Sequence, residues 1–162
     1  PIDAKLGKHV GLAAWKEITE WLSGPSFGVE LSSVENVDVD QFQADFFLTA
    51  QSELIEKYDA PFILKLERYQ DAVTLIPKLA GKVEAFLLEF SDKKLEDVWT
   101  EVQAWASNYS VYVGFGITPE NVGKIIDEIK PLGIGLKGGT EIKVGLNDFD
   151  GLADVLEAIE VF

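Results

Sequence analysis

The stretch Val111-Tyr-Val-Gly-Phe-Gly-Ile-Thr-Pro-Glu-Asn-Val122 reads as a buried strand, a glycine turn and the start of a helix. The same order recurs at once. Gly133-Ile-Gly-Leu-Lys-Gly-Gly-Thr140 forms a strand and a glycine-rich tip, and residues 149–162 carry helical periodicity. Each unit places backbone without side-chain hindrance at the carboxyl end of a strand, ahead of a helix. Such backbone can turn its N–H groups on an anion, and a helix N-terminus adds a favourable dipole. Two of these units in tandem suggest a phosphate cradle. In a closed parallel barrel that cradle belongs to the last two strand–helix loops.

Upstream, strands and helices alternate in the same way. Short apolar strands are expected at 27–31, 45–49, 62–66, 83–90, 111–113 and 134–136, and helices at 16–22, 52–58, 70–79 and 94–106. In the last of these helices Leu95, Val98, Val102 and Trp105 fall on one stripe. Near-continuous apolar strands between helices indicate a parallel sheet covered on both faces. Repeated right-handed units make either an open doubly wound sheet or a closed barrel, and spacing does not separate the two. No linker, repeat or low-complexity tract divides residues 1–162, which read as a single domain of six to seven strand–helix units.

The chain has 162 residues, 47% of them hydrophobic and 26% charged, which fits a folded domain with a core. Its formal net charge of −14 opposes binding to nucleic acid. An anionic ligand would have to be held by local dipoles and a few cations against that field. No apolar run approaches the ~20 residues of a membrane span, so no membrane partner is expected. Cys is absent, which removes disulfides and thiolate metal sites. With no secretory signal visible, the expected location is cytoplasmic.

The candidate phosphate-binding residues are Gly114, Phe115 and Gly116 in the first loop and Lys137, Gly138, Gly139 and Thr140 in the second. Glycine backbone permits close approach, successive N–H groups make an anion nest, Lys137 offers a cation and Thr140 a hydroxyl. Thr118 suits a helix N-cap, with Pro119 at the first helical position. Lys65 lies inside an apolar strand, where a lysine points into a polar pocket or reaches its rim. His9, the one histidine, and the acidic stretch 32–40 lack the convergent ligands of a metal site. No metal or cofactor is expected. The tryptophans Trp15, Trp21, Trp99 and Trp105 lie on helix faces and read as core or interface.

Gly116-Ile-Thr-Pro-Glu-Asn-Val122, Lys130-Pro-Leu-Gly-Ile134, Gly139-Thr-Glu141 and Gly145-Leu-Asn-Asp148 together resemble the end of the phosphoribosylanthranilate isomerase family. The resemblance is closest over 111–162 and collinear back to Gly7-Lys-His-Val10. It implies a TIM (βα)8-type barrel, an Amadori rearrangement in tryptophan biosynthesis and a phosphorylated small molecule as partner. On this alignment strand one and most of strand two fall outside the sequence, so the barrel is expected to be incomplete at its N-terminal side. Its apolar strand edges would then be covered by further segments or by a second copy in a homodimer.

The resemblance also implies roles, and departures from them. The family's base, an Asp, falls at Glu89. Its anthranilate-side Arg falls at Lys8, not an equivalent residue at a planar carboxylate, and it tends to carry a Lys near Lys65. Its Cys acid, at the end of strand one, falls outside the sequence on this alignment. Its His-Gly becomes Thr49-Ala50, a further Asp becomes Gly135, and two serines become Lys137 and Gly138. The catalytic candidates are therefore Glu89, Lys65 and Lys8. Whether activity survives is left open between an isomerase, a non-catalytic sugar-phosphate binder and an interaction scaffold without ligand.

Overall fold

The computed structural model of the protein describes residues 12–21, 23–32, 38–137, 141–143, 146–147 and 150–160. Helix α1 (Leu12–Trp21) leads into strand β1 (Gly28–Leu31), and a 3-10 turn (Val39–Gln41) precedes β2 (Phe46–Thr49). Next come α2 (Ser52–Lys57), β3 (Phe62–Leu66), α3 (Tyr69–Leu79) and β4 (Ala85–Leu88). A 3-10 turn (Glu96–Val98) opens α4 (Trp99–Asn108), followed by β5 (Val111–Val113). The short α5 (Val122–Lys124) continues as a π-helical turn (Ile125–Ile129) and leads to β6 (Gly133–Ile134). A small hairpin, β7 (Glu141–Lys143) with β8 (Leu146–Asn147), precedes α6 (Asp150–Glu160).

Strand order resolves what spacing left open. The six parallel strands lie in chain order, β1-β2-β3-β4-β5-β6, with no reversal. A doubly wound sheet reverses direction at a switch point. When every crossover is right-handed and every step goes the same way, all helices fall on one face. The arrangement is that of a TIM-type barrel, seen here as an open arc with β1 and β6 at its edges among the described residues.

Burial follows this geometry. The outward face of the arc carries Val29 and Leu31, Phe47, Phe62, Leu64 and Leu66, Phe86 and Leu88, and Val111 and Val113, all buried. Helical side chains close over them, chiefly Leu54 and Ile55 of α2, Ala72, Ile76 and Leu79 of α3, Val102 of α4 and Ile125 at the π turn. The alternate residues Glu30, Phe46, Leu48, Ile63, Lys65, Leu87 and Tyr112 face the concave side and are only partly buried. Thus one face is fully covered rather than both, as the apolar strands had suggested.

The expected strands at 62–66 and 111–113 match β3 and β5. The apolar run at 83–90 forms a strand only over Ala85–Leu88, because beyond it the backbone turns to cap neighbours. Glu89 N–H still donates to Leu66 O at 2.9 Å, but Ser91 N–H and its hydroxyl both donate to Glu67 O, and Asp92 accepts the Tyr69 N–H that opens α3. The hairpin β7–β8 was not expected.

Candidate functional site

At the carboxyl ends of the strands the concave face turns polar. Glu30 on β1 and Lys65 on β3 stand two strands apart on the same face; Leu48 is in register with Glu30 and with Ile63, so Lys65 lies two residues further along and reaches back diagonally to Glu30. Lys65 Nζ donates to Glu30 Oε1 and lies 3.7 Å from Glu67 Oε1. Glu89, one residue past β4, accepts from Lys137 Nζ at 2.9 Å. The Lys65 side chain is 13% exposed and that of Glu89 10%, whereas Lys137 is 73% exposed. A chain of alternating charges thus crosses the mouth from β1 to the end of β6: Glu30, Lys65 flanked by Glu67 and Glu89, then Lys137.

Burial of Lys65 works to lower its pKa. The hydrogen bond to Glu30 and the charges of Glu30, Glu89 and Glu67 outweigh that effect and raise it above the ordinary lysine value of 10.5. Lys65 is therefore a fixed ammonium near neutrality, suited to stabilising negative charge. It is not a base. Three carboxylates around it hold this ammonium, and among the described residues no group of three or more His, Asp or Glu is arranged to hold a metal ion.

The loop after β5 lies against this charge row. Gly114 N–H completes the ladder by donating to Leu88 O at 2.8 Å. A Cβ on Gly114 would come within 2.9 Å of Leu87 Cδ1 and 3.1 Å of Glu89 Cγ, so the loop lies close against the Glu89 side chain. A Cβ on Gly135, beyond β6, would stand 3.3 Å from Gly114 Cα. The two glycine-bearing strand ends therefore touch. Gly116 takes φ +64°, a left-handed conformation that L side chains avoid.

The turn behind it is self-locked. Thr118 N–H donates to Asn121 Oδ1 (2.8 Å), Asn121 N–H to Thr118 Oγ1 (3.2 Å) and Asn121 Nδ2 to Gly116 O (2.8 Å). Asn121 rather than Thr118 is the helix N-cap, so Pro119 lies in a turn and not at the first helical position. Thr118 and Asn121 use their own N–H groups here, which leaves Phe115, Gly116 and Ile117 as the loop amides available to a ligand. Only the backbone of Phe115 can serve, because its ring packs 4.9 Å from that of Phe90, which meets Tyr69 and Trp105.

The other sequence candidates divide. Gly138, Gly139 and Thr140, and likewise Lys8 and His9, lie outside the described residues. Thr49 points to the helical side, where it is fully buried; its hydroxyl donates to Leu31 O and accepts from Gln51 N–H, so it braces β1 and β2 rather than lining the mouth. Trp15, Trp99 and Trp105 are partly buried against the core. The residues missed were Glu30 and Glu67. Glu30 was legible: Gly-Val-Glu-Leu alternates, Val29 and Leu31 must face the helices, and an inward Glu needs a cation such as Lys65.

No protein-family model matches the chain. Among curated proteins it is 30% identical over 111 residues to the N-(5'-phosphoribosyl)anthranilate isomerase of Methanoregula boonei, which covers 65% of this chain and 52% of that protein. It is 31% identical over 107 residues to the enzyme of the same name from Thermosynechococcus vestitus, covering 61% of this chain and 46% of the relative. The chain thus spans about half the length of the curated relatives it matches. Among solved structures, the phosphoribosyl anthranilate isomerase of Thermus thermophilus superposes with a TM-score of 0.64 at 18% identity, over 93% of this chain and 80% of that one. The corresponding structure from Thermococcus kodakaraensis gives 0.60 at 21% identity, over 93% and 81%. These superpositions establish the shared fold.

Proposed function

We propose, from the premise that the chain is a divergent member of the phosphoribosylanthranilate isomerase family, that it binds a phosphorylated sugar at this mouth and serves an isomerisation of the family's kind. Residues 1–162 form one barrel domain in this reading. The observation that carries it is a contact: the glycine loop after β5 lies against Glu89, and Glu89 is joined to Lys137 at the end of β6. Amides of residues 115–117 and the Lys137 ammonium would receive the phosphate. Glu89, nearly buried and at the family's base position, would take the C2 proton of the ring-opened sugar. The electron pair that the proton leaves passes to the imine nitrogen, and Lys65, held as a cation, would orient a sugar hydroxyl beside Glu89 by hydrogen bonding.

The family's acid, a Cys at the end of strand one, falls outside the sequence on this alignment, but within it Thr49 stands where the family has its His and Gly135 where it has a further Asp. That observation favours a second reading, in which the phosphate end is kept for binding alone. One set of experiments separates the two. On the first reading the gene rescues a tryptophan auxotroph lacking the isomerase, and Glu89→Ala abolishes rescue while ribose 5-phosphate still raises the melting temperature. On the second, ribose 5-phosphate stabilises the protein but rescue fails. If neither ribose 5-phosphate nor inorganic phosphate shifts the melting temperature, both readings fall.

A further inference from the structure

We propose that Lys137 is a ligand-operated latch on Glu89: an arriving phosphate draws the ammonium off the carboxylate and so releases it for use. This inference rests on the phosphate reading above and adds a coupling to it. The asymmetry of the pair is the reason. Glu89 is 10% exposed at its side chain and anchored beside β4, whereas Lys137 is 73% exposed at the end of a long flexible stem. When the pair parts, the lysine is the partner that moves.

The groups facing Glu89 make that release consequential. Lys65 acts on it from β3 but is already held by Glu30 and flanked by Glu67. Among the described residues Lys137 is thus the cation in direct contact with Glu89, and while the two are joined a lone pair of the candidate base is occupied. An ion pair with one partner so exposed is weak, worth on the order of two- to fivefold in an equilibrium. A phosphate dianion at similar distance attracts the same ammonium about twice as strongly as a single carboxylate does. The exchange therefore runs toward the ligand, and Lys137 is a positioning residue: it acts through Glu89 rather than on the reacting atoms.

The test is a titration of the isotopically labelled protein with inorganic phosphate at fixed pH, read by NMR. The expected result is that the Lys137 Nζ and Glu89 carboxyl resonances move with one shared midpoint, together with the amides of residues 115–117. In Lys137→Gln the Glu89 resonance should already lie displaced and should no longer respond. Glu89→Gln should bind phosphate about two- to fivefold more tightly, whereas Glu67→Gln, which removes the same charge nearby but no contact to Lys137, should change binding less. If the loop amides respond while Lys137 and Glu89 do not, the latch is overturned and the phosphate reading stands. If Glu67→Gln tightens binding as much as Glu89→Gln, general charge repulsion replaces the latch. If no resonance moves, the phosphate reading is lost and the latch with it. Should Lys137→Gln fail to fold, the two glutamine variants still decide the matter.

Discussion

Lys65 shows how one residue is set by its neighbours. A lysine in an apolar strand should lose its proton more readily as it is buried. Here the carboxylates Glu30, Glu89 and Glu67 reverse that tendency and raise its pKa. Because the folded value lies above 10.5, the ammonium contributes stability that is fully present below that pH and is lost as pH rises through the folded value. Lys65→Met should therefore lose about 1–2 kcal/mol at neutral pH, between an exposed and a fully buried pair. It should also show a smaller loss of stability than the parent as the pH is taken above 10.5. Urea unfolding at a series of pH values checks both. The charge on Lys65 and the inward side of Glu30 were readable from the sequence; their pairing was not, because Glu30 lies 35 residues away and is brought near only when β1 and β3 flank β2.

At the scale of elements, the loop from Gly114 to Asn121 is held by a few specific contacts. Asn121 stands at the N-cap position, and its side chain ties Gly116 O to Thr118 N–H rather than bonding a helix amide. Asn121→Ala should cost about 1–2 kcal/mol, as loss of two side-chain hydrogen bonds within the turn does. Asn121→Asp keeps the acceptor for Thr118 N–H but not the donor to Gly116 O, and should fall between; urea midpoints order the three proteins. Gly116→Ala meets two obstacles, a left-handed φ and a Cβ only 2.8 Å from Leu95 Cβ. The backbone alone should cost about 1–2 kcal/mol, so its unfolding midpoint should drop further than that of a Gly151→Ala control, whose Cβ would meet open space. The turn residues were legible in Gly-x-Gly and Thr-Pro-Glu-Asn. The later helix start was not, since Thr118 and Asn121 can each cap and their mutual hydrogen bonds decide between them.

For the whole molecule, the open arc makes the two faces of each strand unequal. Leu88 is fully buried toward the helices, while its neighbour Leu87 faces the concave side and is only partly covered. Leu88→Ala should cost about 2–5 kcal/mol, the range for a buried leucine, and Leu87→Ala clearly less. Equal losses in chemical denaturation would mean that something fills the concave side in solution. The edges of β1 and β6, unpaired among the described residues, bear on the same question, because unpaired strand edges recruit partners. Analytical ultracentrifugation across a concentration series reads whether copies of this chain meet there.

Periodicity by itself determined a parallel α/β fold, the position of nearly every element and the glycine-rich strand ends, because each of these depends on residues close together in the chain. The four short motifs between Gly116 and Asp148 together pointed to the family for the same reason. What only the tertiary structure decided was the unreversed strand order that makes an arc rather than a doubly wound sheet, and the gathering of Glu30, Lys65, Glu67, Glu89 and Lys137 at one rim. Pairing between strands distant in sequence leaves no local pattern. A charge partner is fixed by strand order and register, which exist only once the sheet has formed.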